Sequence, residues 1–181
     1  MSISPDKINR VWPEEGLEKW FGRLFESYND SLFSYVAGLM RDREAASDVM
    51  QNLFVRIVHN PAPFCRVSQL RPYLFAAARK EALRYMAKIS RTDTLEKKMD
   101  YTLLMNKKDV STGGPEPCME TDRINRALMQ LPAEQYEAVI LKTYQGLTYD
   151  EMSQVLGRPA PTCQSRYRAA LKNLKEKLAH G

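Results

Sequence analysis

A chain of 181 residues is long enough for one or two small domains with modest cores. Hydrophobic content of 44% with 27% charged residues argues against a disordered chain, and no apolar run approaches the ~18 residues of a membrane span. Three scattered cysteines (Cys65, Cys118, Cys163) and two histidines argue against a disulfide framework or a zinc site. The N-terminus is polar and acidic where a signal peptide would be apolar, so a cytoplasmic location without membrane insertion is expected.

The net charge of +5 is unevenly spread. Residues 79–91 carry a net +4 from Arg79, Lys80, Arg84, Lys88 and Arg91 against Glu81. Residues 158–181 carry a net +5, so the remainder is net −4. Two separated basic helices on an otherwise acidic chain point to two contacts with a polyanion. The plainer alternative is two solvated helix faces.

In chain order, residues 1–16 read as a polar arm with Pro5 and Pro13. From Leu17, the residues Leu17, Trp20, Phe21, Leu24, Phe25 and Tyr28 recur at helical spacing, continuing through Leu32, Tyr35, Val36 and Leu39, with a kink expected near Asn29-Asp30. Arg41-Asp42-Arg43 then turns into a helix over 44–59. Ala46, Val49, Met50, Leu53, Phe54 and Ile57 lie on its inner side, and Asp48, Gln51, Asn52 and Arg56 on its outer side. Asn60-Pro61-Ala62-Pro63 breaks it. The loop that follows presents Phe64, as an exposed aromatic, beside Arg66. Ser68 is the expected N-cap of a third helix over 69–89, with Leu70, Tyr73, Leu74, Ala77 and Ala78 inward.

Beyond Arg91 the pattern weakens. Asp93-Thr94-Leu95-Glu96 offers a cap for a helix through Met105, and Ser111 to Pro117 is linker chemistry. Ile124, Ala127, Leu128 and Leu131 mark the next helix. Pro132 restarts another with Tyr136, Val139, Ile140, Thr143 and Tyr144 inward, and Gly146 ends it. No strand-like alternation occurs. The expected fold is all-α: two small helical domains, 17–91 and 121–181, joined by a flexible linker over 92–120.

The last stretch has the most specific local chemistry. Thr148-Tyr149-Asp150-Glu151 is a capping box, Met152, Val155 and Leu156 share a face, and Gly157 with Pro159 ends the helix. A second helix opens at Pro161 with an apolar stripe of Cys163, Tyr167, Ala170, Leu171, Leu174 and Leu178; Gln164, Ser165, Arg166, Arg168, Lys172 and Lys175 lie off it. A short capped helix, a glycine turn and a longer basic helix is the layout of a DNA-reading helix-turn-helix, and an ordinary helical hairpin is its alternative.

Leu131-Pro132-Ala133-Glu134-Gln135, Gly146-Leu147-Thr148-Tyr149-Asp150-Glu151-Met152, Leu156-Gly157-Arg158-Pro159 and Ser165 to Leu171 together resemble the C-terminal domain of extracytoplasmic-function (ECF) RNA polymerase sigma factors of the sigma-70 family. Phe21 to Tyr28, Ala45 to Phe54 and Tyr73 to Arg79 resemble that family's first domain. The resemblance spans roughly residues 17–91 and 121–179. It implies that Asp48, Gln51, Asn52 and Val55 dock on core RNA polymerase. It also implies that Phe64, Arg66, Gln69, Arg79, Lys80, Arg84 and Lys88 hold the melted −10 strand of promoter DNA. Thr162, Gln164, Ser165, Arg166, Arg168 and Lys172 would meet the −35 duplex.

The third helix carries Lys80 and Arg84 where the family often has Asn and Asp, and Pro161-Thr162-Cys163-Gln164 replaces the common Gly-Thr-Val-Lys. Both changes bear on which promoter is read. A separate anti-sigma factor is implied as a further partner. The competing function is a stand-alone helix-turn-helix regulator, which has no need of the Asp48–Gln51 surface. An enzyme finds no support: there is no glycine-rich phosphate loop and no clustered acid–base or metal-binding set, and no cofactor is expected.

Overall fold

The structure, a computed structural model, describes residues 12–93 and 119–179, with side chains over 16–90 and 123–179. Every regular element among them is helical. They group into two units, one centred on α1–α4 and the other on α5–α8. The expected helix from Thr94 to Met105 and the linker over Ser111–Pro117 lie outside the described residues.

In the first unit, α1 (Trp12–Met40) begins earlier than its apolar stripe. Its break falls at Gly16 (φ 79, ψ 168), and the Asn29-Asp30 pair continues as helix. Only glycine takes that backbone conformation without steric cost, whereas Asn and Asp are merely weak helix formers that the packing of Leu24, Tyr28, Leu32 and Tyr35 overrides. α2 (Arg43–His59) is capped by Asp42, whose Oδ1 accepts from the backbone N–H groups of Glu44 and Ala45 at 3.0 Å each. All six residues expected inside α2 are buried. Pro61 then starts a single turn, α3 (Ala62–Cys65), where a loop was expected. α4 (Leu70–Asp93) starts two residues past Ser68 and continues past Ile89.

The core of this unit joins Trp20, Leu24, Leu32, Tyr35 and Leu39 of α1 to Ala46, Val49, Leu53 and Ile57 of α2 and to Leu74, Phe75, Ala78 and Ala82 of α4. Each fully buried large apolar side chain contributes about 1.5–3 kcal/mol, so this three-sided core fixes α2 and α4 side by side. Phe21 and Phe25 close one end against Phe54, with ring centroids 5.9 and 5.0 Å from it.

In the second unit, α5 (Met119–Met129) and α6 (Ala133–Val139) flank the Pro132 turn. Leu128, Leu131, Tyr136, Val139 and Ala170 form one cluster, with Ile140, Tyr167 and Leu174 packed against it. α6 does not run on as an α-helix. Ile140–Tyr144 is a π-helical turn, closed by the Gln145 N–H donating to the Ile140 carbonyl at 2.9 Å. The wider turn moves the inward face: Leu141 is buried, while Thr143 and Tyr144, expected inside, are exposed. Gly146 (φ 66) then lets Leu147 turn back into the core.

α7 (Tyr149–Leu156) has the expected capping box: the Thr148 N–H donates to Glu151 Oε2 at 2.7 Å and the Glu151 N–H donates to Thr148 Oγ1 at 3.2 Å. Gly157 ends it in the left-handed conformation. α8 (Ala160–Ala179) starts one residue before Pro161. Cys163 and Ala170 are buried and Tyr167, Leu174 and Leu178 half-buried, but Leu171, expected on the stripe, is 44% exposed. At about 100° per residue it lies beside Ala170, on the flank that turns to solvent.

Candidate nucleic-acid and partner interfaces

The outer face of α2 presents Asp48, Gln51, Asn52 and Val55, all exposed. Val55 is 50% exposed and Val58 joins it, so apolar and polar groups alternate on this face. Asp48 is tied to α4, since the Tyr85 hydroxyl donates to its Oδ2 at 3.2 Å. A groove of about 570 Å³ between the two helices is lined by Val49, Asn52, Arg56, Glu81, Arg84, Tyr85, Lys88 and Ile89. Glu81 sits between two cations there, 2.8 Å from Arg56 and 3.6 Å from Arg84.

A second cleft, of about 300 Å³, is bounded by Arg56, Asn60, Pro63, Phe64, Tyr73, Ala76, Ala77 and Lys80. Its aromatic pair reverses the expected exposure. Phe64 is 4% exposed and Tyr73, expected inside, is 37% exposed. The turn α3 folds Phe64 under α4, and the two rings meet edge-on at 5.2 Å. Phe64 is thus the buried support and Tyr73 the accessible ring. Arg66 and Gln69 are exposed before α4; Lys80, Arg84 and Lys88 are exposed along it and Arg79 is half-buried. The Cys65 thiol lies beneath this region, and burial pushes its pKa up to about 11 against the opposing pull of Arg66.

On α8, Ser165, Arg168 and Lys172 are exposed while Thr162, Gln164 and Arg166 are half-buried. The Ser165 hydroxyl donates to the Thr162 carbonyl at 2.9 Å. Arg166 does not extend freely: its guanidinium pairs with Glu134, in the first turn of α6, at 2.6 Å. The far half of α8 is fastened by Asn173 donating to Gln135 at 2.7 Å, by Lys177 donating to Gln130 at 3.0 Å and by Arg123 donating to the Leu178 carbonyl. Tyr167 meets Thr143 at 3.2 Å and the Tyr149 ring at 6.4 Å, linking α8 to the π-turn and to α7. Burial raises the Cys163 thiol pKa, opposed by Arg166, and its Sγ–H donates to the Arg158 carbonyl at 3.7 Å.

Tyr73 as the exposed ring, Tyr85, Glu81 and Glu134 were all outside the sequence-derived set. An acid in the first turn after Pro132 looks like any helix start, and only the crossing of α6 and α8 shows its partner. Among the described residues no group of three or more His, Cys, Asp or Glu could hold a metal ion, and no helix is long and apolar enough to cross a membrane.

Two helical units, one with a cationic groove and an aromatic cleft and the other with a basic helix-turn-helix, are the features of a DNA-binding protein. Residues 24–92 match the family model for sigma-70 region 2, and residues 121–174 match that for sigma-70 region 4. The chain is 26% identical to the ECF RNA polymerase sigma-E factor of Haemophilus influenzae, covering 94% of this chain and 93% of that one. It is 20% identical to the RNA polymerase sigma factor YlaC of Bacillus subtilis, covering 86% and 90%. Its fold is shared with sigma factor RpoE of Bartonella quintana, solved in complex with the anti-sigma factor NepR, at a TM-score of 0.71 and 23% identity over 89% of this chain and 98% of that one. CnrH, solved with the cytosolic domain of CnrY, gives 0.70 at 18% identity over 98% and 99%. The chain belongs to the sigma-70 family, as an RNA polymerase sigma factor of the ECF type that directs promoter recognition. The stand-alone regulator gives way, because the region 2 match covers the surface that such a regulator has no use for.

Proposed function

We propose that the two units divide promoter recognition. α2 offers Asp48, Gln51, Asn52 and Val55 to core RNA polymerase, with Val58 extending the patch; exposed valines set among polar side chains suit a protein partner. The cleft at Tyr73 takes an unstacked base of the melted −10 strand. Stacking on an aromatic ring is worth roughly 1–3 kcal/mol per base, and Arg56 and Lys80 on the rim favour the phosphates. Arg66, Gln69, Arg79, Arg84 and Lys88 extend that track, with Phe64 acting from beneath. α8 lies in the major groove of the −35 duplex. Thr162, Gln164, Ser165 and Arg166 approach base edges, and Arg168 and Lys172 approach phosphates. The protein works in the cytoplasm, and a separate anti-sigma protein holds it idle.

The observation that carries this reading is the cleft, where an accessible ring stands on a buried one with cations at its mouth. Run-off transcription with core polymerase across genomic DNA tests it. Wild-type protein should give discrete starts. Tyr73→Ala should lower open-complex formation on the order of tenfold without loss of core binding. Asp48→Ala with Gln51→Ala should lose core binding instead. Promoter DNA shifted equally well without polymerase would count against the whole assignment.

A further inference from the structure

We propose that Glu134 determines −35 specificity by positioning Arg166; the proposal rests on the reading of α8 as the −35 helix. The two side chains belong to different helices and meet at 2.6 Å, with Arg166 20% exposed and Glu134 48% exposed. The pair thus stands at the edge of the unit, with the acid on the solvent side. Arg168 and Lys172 have no ion-pair partner among the described residues and are exposed. Of the cations assigned to the −35 face, Arg166 is held by an acid, and Arg168 and Lys172 are not.

The chemistry separates their roles. A guanidinium carries five N–H donors in a planar fork and binds phosphate as readily as a base edge. A carboxylate beside it occupies a donor on one terminal nitrogen, fixes the direction of the fork and repels a phosphate that approaches. A neutral acceptor pair, such as guanine O6 and N7, suffers no such repulsion. Glu134 therefore directs Arg166 away from the sequence-independent backbone and towards a guanine. Its own outer oxygen is suited to accept from a cytosine N4 amine. Holding the fork in place before binding also reduces the rotamer freedom that a long side chain loses on contact.

The test uses holoenzyme reconstituted with wild-type, Glu134→Gln, Glu134→Asp, Arg166→Ala and the Glu134→Gln/Arg166→Ala double variant, on promoters randomised across the −35 element. Arg166→Ala should flatten preference at one base pair by on the order of 5- to 100-fold. Glu134→Gln should flatten the same position, the double variant should add nothing further, and Glu134→Asp should restore part of the preference. Affinity for duplexes of unrelated sequence should rise in Glu134→Gln, with a salt dependence steeper by up to about one unit of slope. Thermal melting of each variant accompanies the selection. Glu134→Gln that fails to fold, that keeps the wild-type preference, or that weakens all sequences alike would overturn the proposal. Wild-type holoenzyme indifferent to the −35 sequence would instead overturn the reading of α8 itself.

Discussion

Removing the charge of Glu81 should weaken the first unit and at the same time tighten its hold on single-stranded DNA. The carboxylate bridges α2 to α4 through Arg56 at 2.8 Å and meets Arg84 at 3.6 Å. Arg56 is 36% exposed, so water discounts that pair to the upper end of the surface range, about 1 kcal/mol. The Arg84 contact is an i,i+3 pair with an exposed cation and adds about 0.3 kcal/mol. Glu81→Gln keeps the shape and should therefore cost about 1–1.5 kcal/mol. Trp20 is fully buried in this unit and the second unit has no tryptophan, so Trp20 fluorescence in a urea titration reports this unit. A double-mutant cycle with Arg56→Met should return a coupling near 1 kcal/mol that shrinks in high salt. The groove also becomes more positive by one charge. Binding to a single strand should strengthen, with a salt slope steeper by up to about 0.7. Coupling below about 0.3 kcal/mol, or weaker DNA binding, would refute this account of the groove.

Leu141→Ala should cost roughly 2–5 kcal/mol in a urea titration, as for any fully buried leucine, whereas Leu171→Ala should stay within about 0.5 kcal/mol. Gly157 has φ +62 with nothing within 4 Å of an added Cβ, so Gly157→Ala should cost about 1–2 kcal/mol from backbone strain alone and Gly157→Asn less; equal losses would point to a steric cause. The Cys65 thiol stays protonated in the fold to about pH 11, while that of the unfolded chain ionises near pH 8.5. Its contribution to stability is therefore whole below pH 8.5 and falls as pH rises towards 11, visible as a declining urea midpoint that Cys65→Ala flattens. In a Cys118→Ser background, alkylation of the folded protein at pH 8 should be far slower than after unfolding.

Periodicity made the helices and most of their inner faces legible, because a buried stripe repeats wherever the backbone keeps 3.6 residues per turn. The α2 core and the Thr148 capping box follow from spacing and local hydrogen bonding alone. The failures came where the local rule changed. At Ile140–Tyr144 the turn widens, so a stripe projected at α-helical spacing names Thr143 and Tyr144 where Leu141 is buried. Phe64 and Tyr73 exchanged places because Pro61 starts a helical turn that tucks the shorter segment under α4. Arg166 was legible as a cation on the recognition helix. Its engagement by Glu134 depends on a crossing between residues 32 positions apart, which no local pattern encodes.

The π-turn also absorbs a difference in chain length. An α-helix rotates about 100° with each residue. Five residues in the wider turn sweep about the angle that four cover at α-helical spacing, so deleting one residue between Ile140 and Tyr144 would let α6 continue as an α-helix while the elements after it keep roughly their direction. A one-residue deletion that in a regular helix would turn everything downstream by about 100° would here leave the helix-turn-helix aimed as before.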